Sequence, residues 1–478
     1  MTVMPVENPV PLRPPSVIDR AAAREQGRSR RRSVGRSKLA GLSTGDRDPV
    51  GHLREQNADR VAELVPLRMQ RMLADPFAFY RGTAGLMALD LSDAPSSGVH
   101  VAACGDAHLS NFGFYASPER TLVFDLNDFD EAAIAPWEWD VKRLVASVVI
   151  GGRQAGYAED DIARVSLAAV GGYARTLRQL ANLSPAERYF MHYNTDLAFT
   201  NLSKEGRRAM RRATAAAEKR TGARAVRRTT ERAENGRLRF IDRPPTMVRF
   251  TPLQAATAGG RASAADEVQI TDLFAQYRAT VNIDIELMLA QYEPTDLARR
   301  VVGVGSVGTR CYLQLLEGPD GDALVLQVKE AGTSVLARYG NIAQGPRITA
   351  GVAKWGDGSR VVGMQRVLQA ASDPFLGHFR GPGRDYFVRQ FNDMKGSIDM
   401  ADLPLQAFDD YVQACAVVLG RAHAQSPTAA QVVGYIGEPD TAAHAILDWS
   451  LAYAEISRSD FEAARAEFAD LLAPAAAD

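Results

Sequence analysis

Cysteine is scarce in this chain. Cys104, Cys311 and Cys415 are the only three in 478 residues, each lies in an apolar run, and no two share the spacing of a metal or redox pair. A disulfide framework or a thiolate metal site is not expected, and all three read as small buried hydrophobes. Long apolar runs are missing too. None approaches the ~20 residues that a membrane span needs, and the first forty residues lack the apolar stretch of a secretory signal, so a cytoplasmic protein without membrane partners is expected. Net charge is almost absent, 56 basic against 57 acidic residues, which removes whole-chain attraction to nucleic acid or anionic lipid.

Against that background one stretch stands out: Gly105-Asp106-Ala107-His108-Leu109-Ser110-Asn111-Phe112, then Asn127-Asp128-Phe129-Asp130, then Trp139-Asp140. Asp106 and Asn111 have the spacing with which kinase-type catalytic loops set a carboxylate beside an acceptor hydroxyl and an amide oxygen on magnesium. Phosphoryl transfer needs little covalent work from a protein. It needs phosphates held, Mg²⁺ placed and the hydroxyl aligned. Asp106 suits the alignment. Asn111 and Asp128 offer a neutral and an anionic oxygen, the hard donors that Mg²⁺ takes. Asp125 competes with Asp128 for the metal, and the spacing to Asp140 favours Asp128. Asp140 itself reads as structural, a carboxylate that caps backbone donors and steadies the loop. His108 reads as a strut of the loop. A metallophosphatase pair Asp106-x-His108 would need further ligands, and His192, His378, His423 and His444 form no such cluster.

The phosphate-cradling candidate comes much later, at Gly303-Val304-Gly305-Ser306-Val307-Gly308. Such glycines also mark dinucleotide sites, where a helix must follow at once. Here Cys311 to Leu316 is apolar and strand-like, which favours a hairpin lid built on Gly303, Gly305, Ser306 and Gly308. Lys329 ends the next strand as a phosphate-binding lysine would; the alternative is a solubility lysine on a sheet edge.

The chain divides into four parts. Residues 1–45, rich in Arg and Pro, are expected to be a disordered basic tail. Residues 46–298 form a mainly helical large lobe carrying the catalytic loop and metal site. It includes a strand at 99–104, a hairpin of Phe112–Tyr115 with Thr121–Leu126, and helix through most of 158–236 and 265–292. Residues 299–391 form a smaller antiparallel-sheet lobe for the nucleotide, with Arg360–Leu368 and Tyr386–Phe391 as later strands, the first of which also fits a helix. Residues 392–478 return to the large lobe through an amphipathic helix, Leu405–His423, and an Ala-rich helix from Thr441. The basic run 204–249 reads as a solvated face, with docking of an anionic substrate or partner as the sharper alternative. It lacks the aromatic interleaving of a dedicated nucleic-acid surface. Arg68, Arg71 and Arg81, upstream of the loop, could meet an anionic substrate.

Asp106-Ala-His108-Leu-Ser-Asn111, Asp128-Phe-Asp and Pro136…Asp140-Val resemble the catalytic core of aminoglycoside- and choline-kinase-like phosphotransferases. The chain from about residue 46 also resembles an uncharacterised bacterial family, domain of unknown function 2252. That likeness lies in Pro76–Gly82, Gly105–Gly113, Phe124–Glu131, Val302–Arg310 and Arg389–Gly396. The resemblance implies an α+β, two-lobed, protein-kinase-like fold that binds ATP and Mg. The glycine loop follows the catalytic loop instead of preceding it, so the lobes would be circularly permuted. The helix ending in Arg421-Ala-His423 would be the one that normally leads into the loop, and Gln390 to Asn392 the hinge at adenine.

One departure matters. Kinases pair the strand lysine with a helix glutamate, and no Glu occurs between Ala331 and Arg384. Gln365 is the nearest polar stand-in. The expectation is an ATP- and Mg-dependent phosphotransferase acting on a hydroxyl of an unidentified small molecule or protein. A nucleotide-binding pseudokinase and a nucleotidyl transferase on the same fold are the alternatives.

Overall fold

The computed structural model describes residues 19–191, 202–249 and 272–472, apart from 44, 46, 302, 304, 382, 392, 393, 401 and 402. Helix α1 spans Arg20–Arg30. Strand β1 (His100–Ala103), the hairpin β2 (Phe112–Ala116) and β3 (Leu122–Leu126), and β4 (Ala133–Pro136) carry the expected loops. Helices α2 (Trp137–Gln154) and α3 (Glu159–Leu180) follow, each with carboxylates in its first turn, where the helix dipole favours them. Then come α4 (Lys204–Glu218) and α5 (Gly222–Thr229), strands β5 (Met247–Arg249), β6 (Glu293–Arg300), β7 (Cys311–Glu317) and β8 (Ala323–Ala331), and helix α6 (Asp357–Leu368). Strands β9 (Gly377–Gly381) and β10 (Arg384–Gln390) lead to α7 (Leu405–Ala424), α8 (Ala429–Ile436) and α9 (Asp440–Glu467).

The largest core joins α2, α3, α7 and α9 to β1 and β4. Nearly every side chain of α2 is buried, as a helix enclosed on all sides requires. At its start Trp137 stacks on Tyr173 of α3, centroids 5.7 Å apart. The second body is a six-stranded sheet of order β9-β10-β8-β7-β6-β5, every pair antiparallel. Its side chains alternate. Leu313, Leu315 and Val325 pack with Ala225, Phe240 and Met247 on one face, while Leu316, Leu326 and Val388 pack with Tyr277 and Leu289 on the other. The mixed α+β class therefore holds.

Three boundaries differ from expectation. The sheet starts before residue 299, because β5 and β6 come from the stretch assigned to the helical lobe, and 222–240 and 277–289 cover its two faces. Residues 192–201 and 265–271 of the helical stretches expected there lie outside the described residues. Arg360–Leu368 is helix, buried at Arg360, Val361, Val362, Met364, Gln365 and Leu368; a short apolar run hides its periodicity.

The third difference is the basic tail. Residues 1–18 lie outside the described residues, but α1 is ordered, capped by Asp19, which accepts from the Ala22 amide at 2.7 Å. It crosses α8 at backbone contact. A Cβ on Gly27 would lie 1.9 Å from the Gln431 carbonyl oxygen, and one on Gly434 2.0 Å from that of Arg24. The arginines then satisfy the open carbonyls at the α8 C-terminus. Arg31 donates to Gly434 and Tyr435 at 2.7 and 2.8 Å, and Arg36 to Ile436 and Glu438 at 2.8 and 2.9 Å. Charge that reads as disorder is used here as a helix cap.

Candidate functional site

The loop after β1 is set by backbone constraint. Gly105 has φ of +81°, and a Cβ there would lie 2.3 Å from the Glu131 carbonyl oxygen; only glycine fits. Asp140, in the first turn of α2, accepts from the Cys104 and Gly105 amides at 2.6 and 2.9 Å. His423 of α7 lies 3.1 Å from the same carboxylate, and its other ring nitrogen is 2.8 Å from the Tyr173 hydroxyl. Asp140 thus caps the end of β1 and ties three elements to the loop.

Asp106 opens into the cleft above this support. Its Oδ1 accepts from Nε of Arg143 at 2.9 Å and lies 2.8 Å from Nη2 in the same ion pair. Arg143 is itself fixed by the Tyr80 carbonyl at 2.7 Å and by the Tyr80 ring 4.0 Å from its guanidinium. His108 lies 3.6 Å from the other Asp106 oxygen, and burial pushes its pKa down to about 4. Its Nδ1 is buried with no hydrogen-bond partner among the described residues, so the neutral ring packs beneath the loop without the hydrogen bonds expected of a strut. Asn111 donates through Nδ2 to the carbonyls of Asp106 and Asp128, at 3.0 and 3.1 Å. That anchors the amide by its nitrogen and leaves its oxygen for a cation.

The two candidate metal aspartates separate cleanly. Asp125 is buried, and its oxygens accept from the Leu126 and Ala370 amides at 2.8 and 2.7 Å; it is a backbone anchor outside the cleft. Asp128 lines the cleft with its side chain 42% exposed. Lys329, buried on β8, donates to Asp130 at 2.5 Å and to Asp128 at 3.3 Å. Burial alone would lower the pKa of this lysine, but the two carboxylates outweigh it and the pKa stands above the usual value. Gln365, from α6, also lines the cleft but donates to Gln369 at 2.8 Å. Lys329 takes its carboxylates from the loop after β3 and not from a helix.

The glycine segment is the turn of the β6–β7 hairpin, in which Arg299 pairs with Tyr312. It is held against the helical body: the Val61 amide donates to Gly308 at 2.9 Å, Arg60 to Val307 at 2.6 Å and Arg71 to Gly303 at 3.1 Å. Gly303, Gly305 and Ser306 line the cleft, whereas Gly308 anchors the turn. The cleft holds about 590 Å³. At its far end Gln390 donates its amide to Asp373 at 2.6 Å, beside Phe375 and Phe391. Asn392, the expected hinge partner, lies outside the described residues.

Several residues of the site give little local signal in the sequence. Arg143 shows nothing locally. Asp130 stands in Asp-Phe-Asp beside Asp128, and Arg389 and Lys395 fall within Arg389–Gly396, a stretch that carries the family resemblance. Arg389 donates to Gln327 and to the Asn127 carbonyl, at 3.0 and 3.2 Å. Lys395 lies close enough to Arg389 that mutual repulsion, with burial second, brings its pKa down to about 7. Of the upstream arginines, Arg81 lines the cleft, Arg71 holds the roof, and Arg68 is buried on Asn57 and Gln56. The lining thus carries six cations (Arg81, Arg120, Arg220, Lys329, Arg389 and Lys395) against three carboxylates, Asp106, Asp128 and Asp373. Such a cleft suits a polyanion.

A family model described as an uncharacterized protein conserved in bacteria (DUF2252) matches residues 60–467. The chain belongs to that family. No curated protein and no solved structure matches the DUF2252 chain. Among its described residues no three His, Cys, Asp or Glu side chains converge to hold a metal. The donor set fits Mg²⁺ nonetheless, because that ion keeps several waters and takes one or two carboxylates plus substrate phosphates. The Asp128 carboxylate and the Asn111 oxygen would be the protein's share of such a site. No helix of the described residues is long and apolar enough to cross a membrane.

Proposed function

We propose that this DUF2252 chain is an ATP- and Mg-dependent phosphotransferase with a circularly permuted kinase-like arrangement, acting on a hydroxyl acceptor. One observation carries the reading: Asp106, Asn111, Asp128 and Lys329, scattered between two chain regions, meet in one cationic cleft beneath a glycine hairpin. Lys329, Arg389 and Lys395 hold the phosphates, Gly303, Gly305 and Ser306 cover them, and Gln390 lies at the base end. Asn111 and Asp128 hold the metal, which when bound neutralises charge on the phosphate oxygens. Asp106 aligns the acceptor hydroxyl. Arg143 fixes the orientation of that carboxylate, which suits a loose transition state in which positioning counts for more than early proton removal. Support for the permuted order comes from the joint: Ser426, just past α7, accepts from the Ala102 amide of β1 at 2.8 Å. The end of α7 therefore abuts the strand that feeds the catalytic loop.

A second reading, a nucleotide-binding regulator without turnover, is favoured by the absence of a helix carboxylate at Lys329 and by the Arg143 clamp on Asp106. The deciding experiment is a thermal-shift titration with Mg·ATP on wild type and Lys329→Ala, followed by ADP release with candidate acceptors. A ligand at a hundred times its Kd stabilises the fold by about 2.7 kcal/mol. The phosphotransferase reading requires a Mg-dependent shift, its weakening in Lys329→Ala relative to that variant without ligand, and turnover that Asp106→Ala abolishes. Binding without turnover on any acceptor favours the regulator, and no shift at saturation removes both.

A further inference from the structure

Helices α4 and α5 hold a strongly basic surface that the cleft chemistry does not use. We propose that this surface docks an Asp/Glu-rich segment of a partner protein and presents it at the mouth of the cleft. The proposal goes beyond the phosphotransferase reading and does not depend on it.

Helical spacing sorts α4 into two faces. Gly206, Ala209, Met210 and Ala217 are buried, while Lys204, Arg208, Arg211, Arg212 and Lys219 are exposed on the opposite arc. None of Arg208, Arg211 and Arg212 has an ion-pair partner among the described residues. Like charges at i and i+4, as at Lys204–Arg208 and Arg208–Arg212, oppose helix formation until a counter-anion arrives. The three arginines line a depression of about 540 Å³ together with Pro404 and a single carboxylate, Glu205, so that its lining is three cations against one anion. The mount is firm, since Ser203 at the head of α4 donates its amide to Asp410 of α7 at 2.9 Å. Arg224, Arg227 and Arg228 extend the exposed charge along α5. Between the helices, Arg220 reaches the cleft: it lines the wall, donates to the Lys395 carbonyl at 3.1 Å, and its own carbonyl accepts from Met394 at 2.9 Å.

The chemistry points to carboxylates on a protein. The surface is arginine-rich, and the guanidinium fork matches carboxylates bidentately. No aromatic residue occurs between Lys204 and Thr229, so bases have nothing to stack on. The sequence pI of about 6.7 gives no long-range pull toward duplex nucleic acid. The apolar side of α4 faces the core, which leaves nothing to insert into a lipid surface.

The test uses the full chain and a fluorescein-labelled oligo-glutamate peptide, read by anisotropy at low salt. Wild type should bind with salt-sensitive affinity, and the triple variant Arg208→Glu, Arg211→Glu, Arg212→Glu should lose about tenfold or more. The corresponding triple Gln variant should lose less, in the same direction, and guards against a folding artefact. A control double variant on another exposed basic face, Arg347→Glu with Lys354→Glu, should bind like wild type. The proposal is overturned if wild type does not bind, if control and triple variants lose equally, or if duplex DNA or phosphatidylserine vesicles bind more tightly at the same ionic strength.

Discussion

Asp140 and Asp128 both follow a strand near the same loop, yet they sit in opposite surroundings. Asp140 is 1% exposed, and its oxygens are taken by two backbone amides and a histidine. Asp128 opens to the cleft, where it faces Lys329, Arg389 and Lys395 and shares Lys329 with the neighbouring Asp130 carboxylate. Burial works to raise the Asp128 pKa, but Lys329 foremost, then Arg389 and Lys395, hold it below the ordinary carboxylate range. The contrast separates a carboxylate consumed by the fold from one left open to the cleft. Fixed amides take up the first, whereas side-chain cations keep the second charged, as the proposed metal site requires.

Breaking each carboxylate should expose that difference. Asp140→Ala strands the Cys104 and Gly105 amides together with His423. It should cost about 3–5 kcal/mol, the usual penalty for removing one partner of a buried charged network, seen as a lower urea midpoint. Asp128→Ala should change stability by less than about 1 kcal/mol, because Lys329 keeps Asp130 at 2.5 Å. It should instead abolish the magnesium dependence of ATP stabilisation. Equal losses of stability in the two variants would erase the distinction.

What the sequence made legible follows the same line. The spacing of Asp106, Asn111 and Asp128, the hairpin that joins them, and the choice of Asp128 over Asp125 are local facts, and the structure brings these residues to one cleft with Lys329. Interactions made across the chain were not legible. Arg143 gives no local sign that it clamps Asp106, and Lys395 reaches the site through the bridge between Gly396 and Phe114 and the contact with Arg220. The arginines of the first segment could not be told from a solvated run, because the carbonyls they cap lie roughly four hundred residues away. The α6 helix stays ambiguous with a strand for a different reason: buried on most sides, it shows no polar stripe to reveal its period.

Glu131 lies between the two classes and sharpens the comparison through pH. It accepts one amide hydrogen bond, from Val335 at 2.7 Å, and burial, the main cause, raises its pKa to about 7. The unfolded chain therefore loses this proton first, near the ordinary Glu value of about 4.3. As pH climbs from there toward 7 the unfolded state is favoured, and the cost is complete above 7. Glu131→Gln keeps an acceptor without the charge. It should match wild type at pH 4 and exceed it by about 1–2 kcal/mol at pH 8, measured by urea denaturation at both values. An advantage that does not grow with pH would mean that Glu131 ionises in the fold as readily as in the open chain.

The distinction between used and available charge extends to the cations, where the effect is smallest. Arg36 and Arg208 both lie in basic runs. Arg36 donates through one nitrogen to the Ile436 and Glu438 carbonyls at a helix end, while Arg208 stands exposed beside other arginines. Arg36→Ala removes a cap and should lower stability by about 1 kcal/mol. Arg208→Ala removes i,i+4 repulsion and should leave stability unchanged or raise it by a few tenths, roughly the size of one such pair. The opposite signs are the informative part, since a purely compositional role for arginine would move both variants the same way.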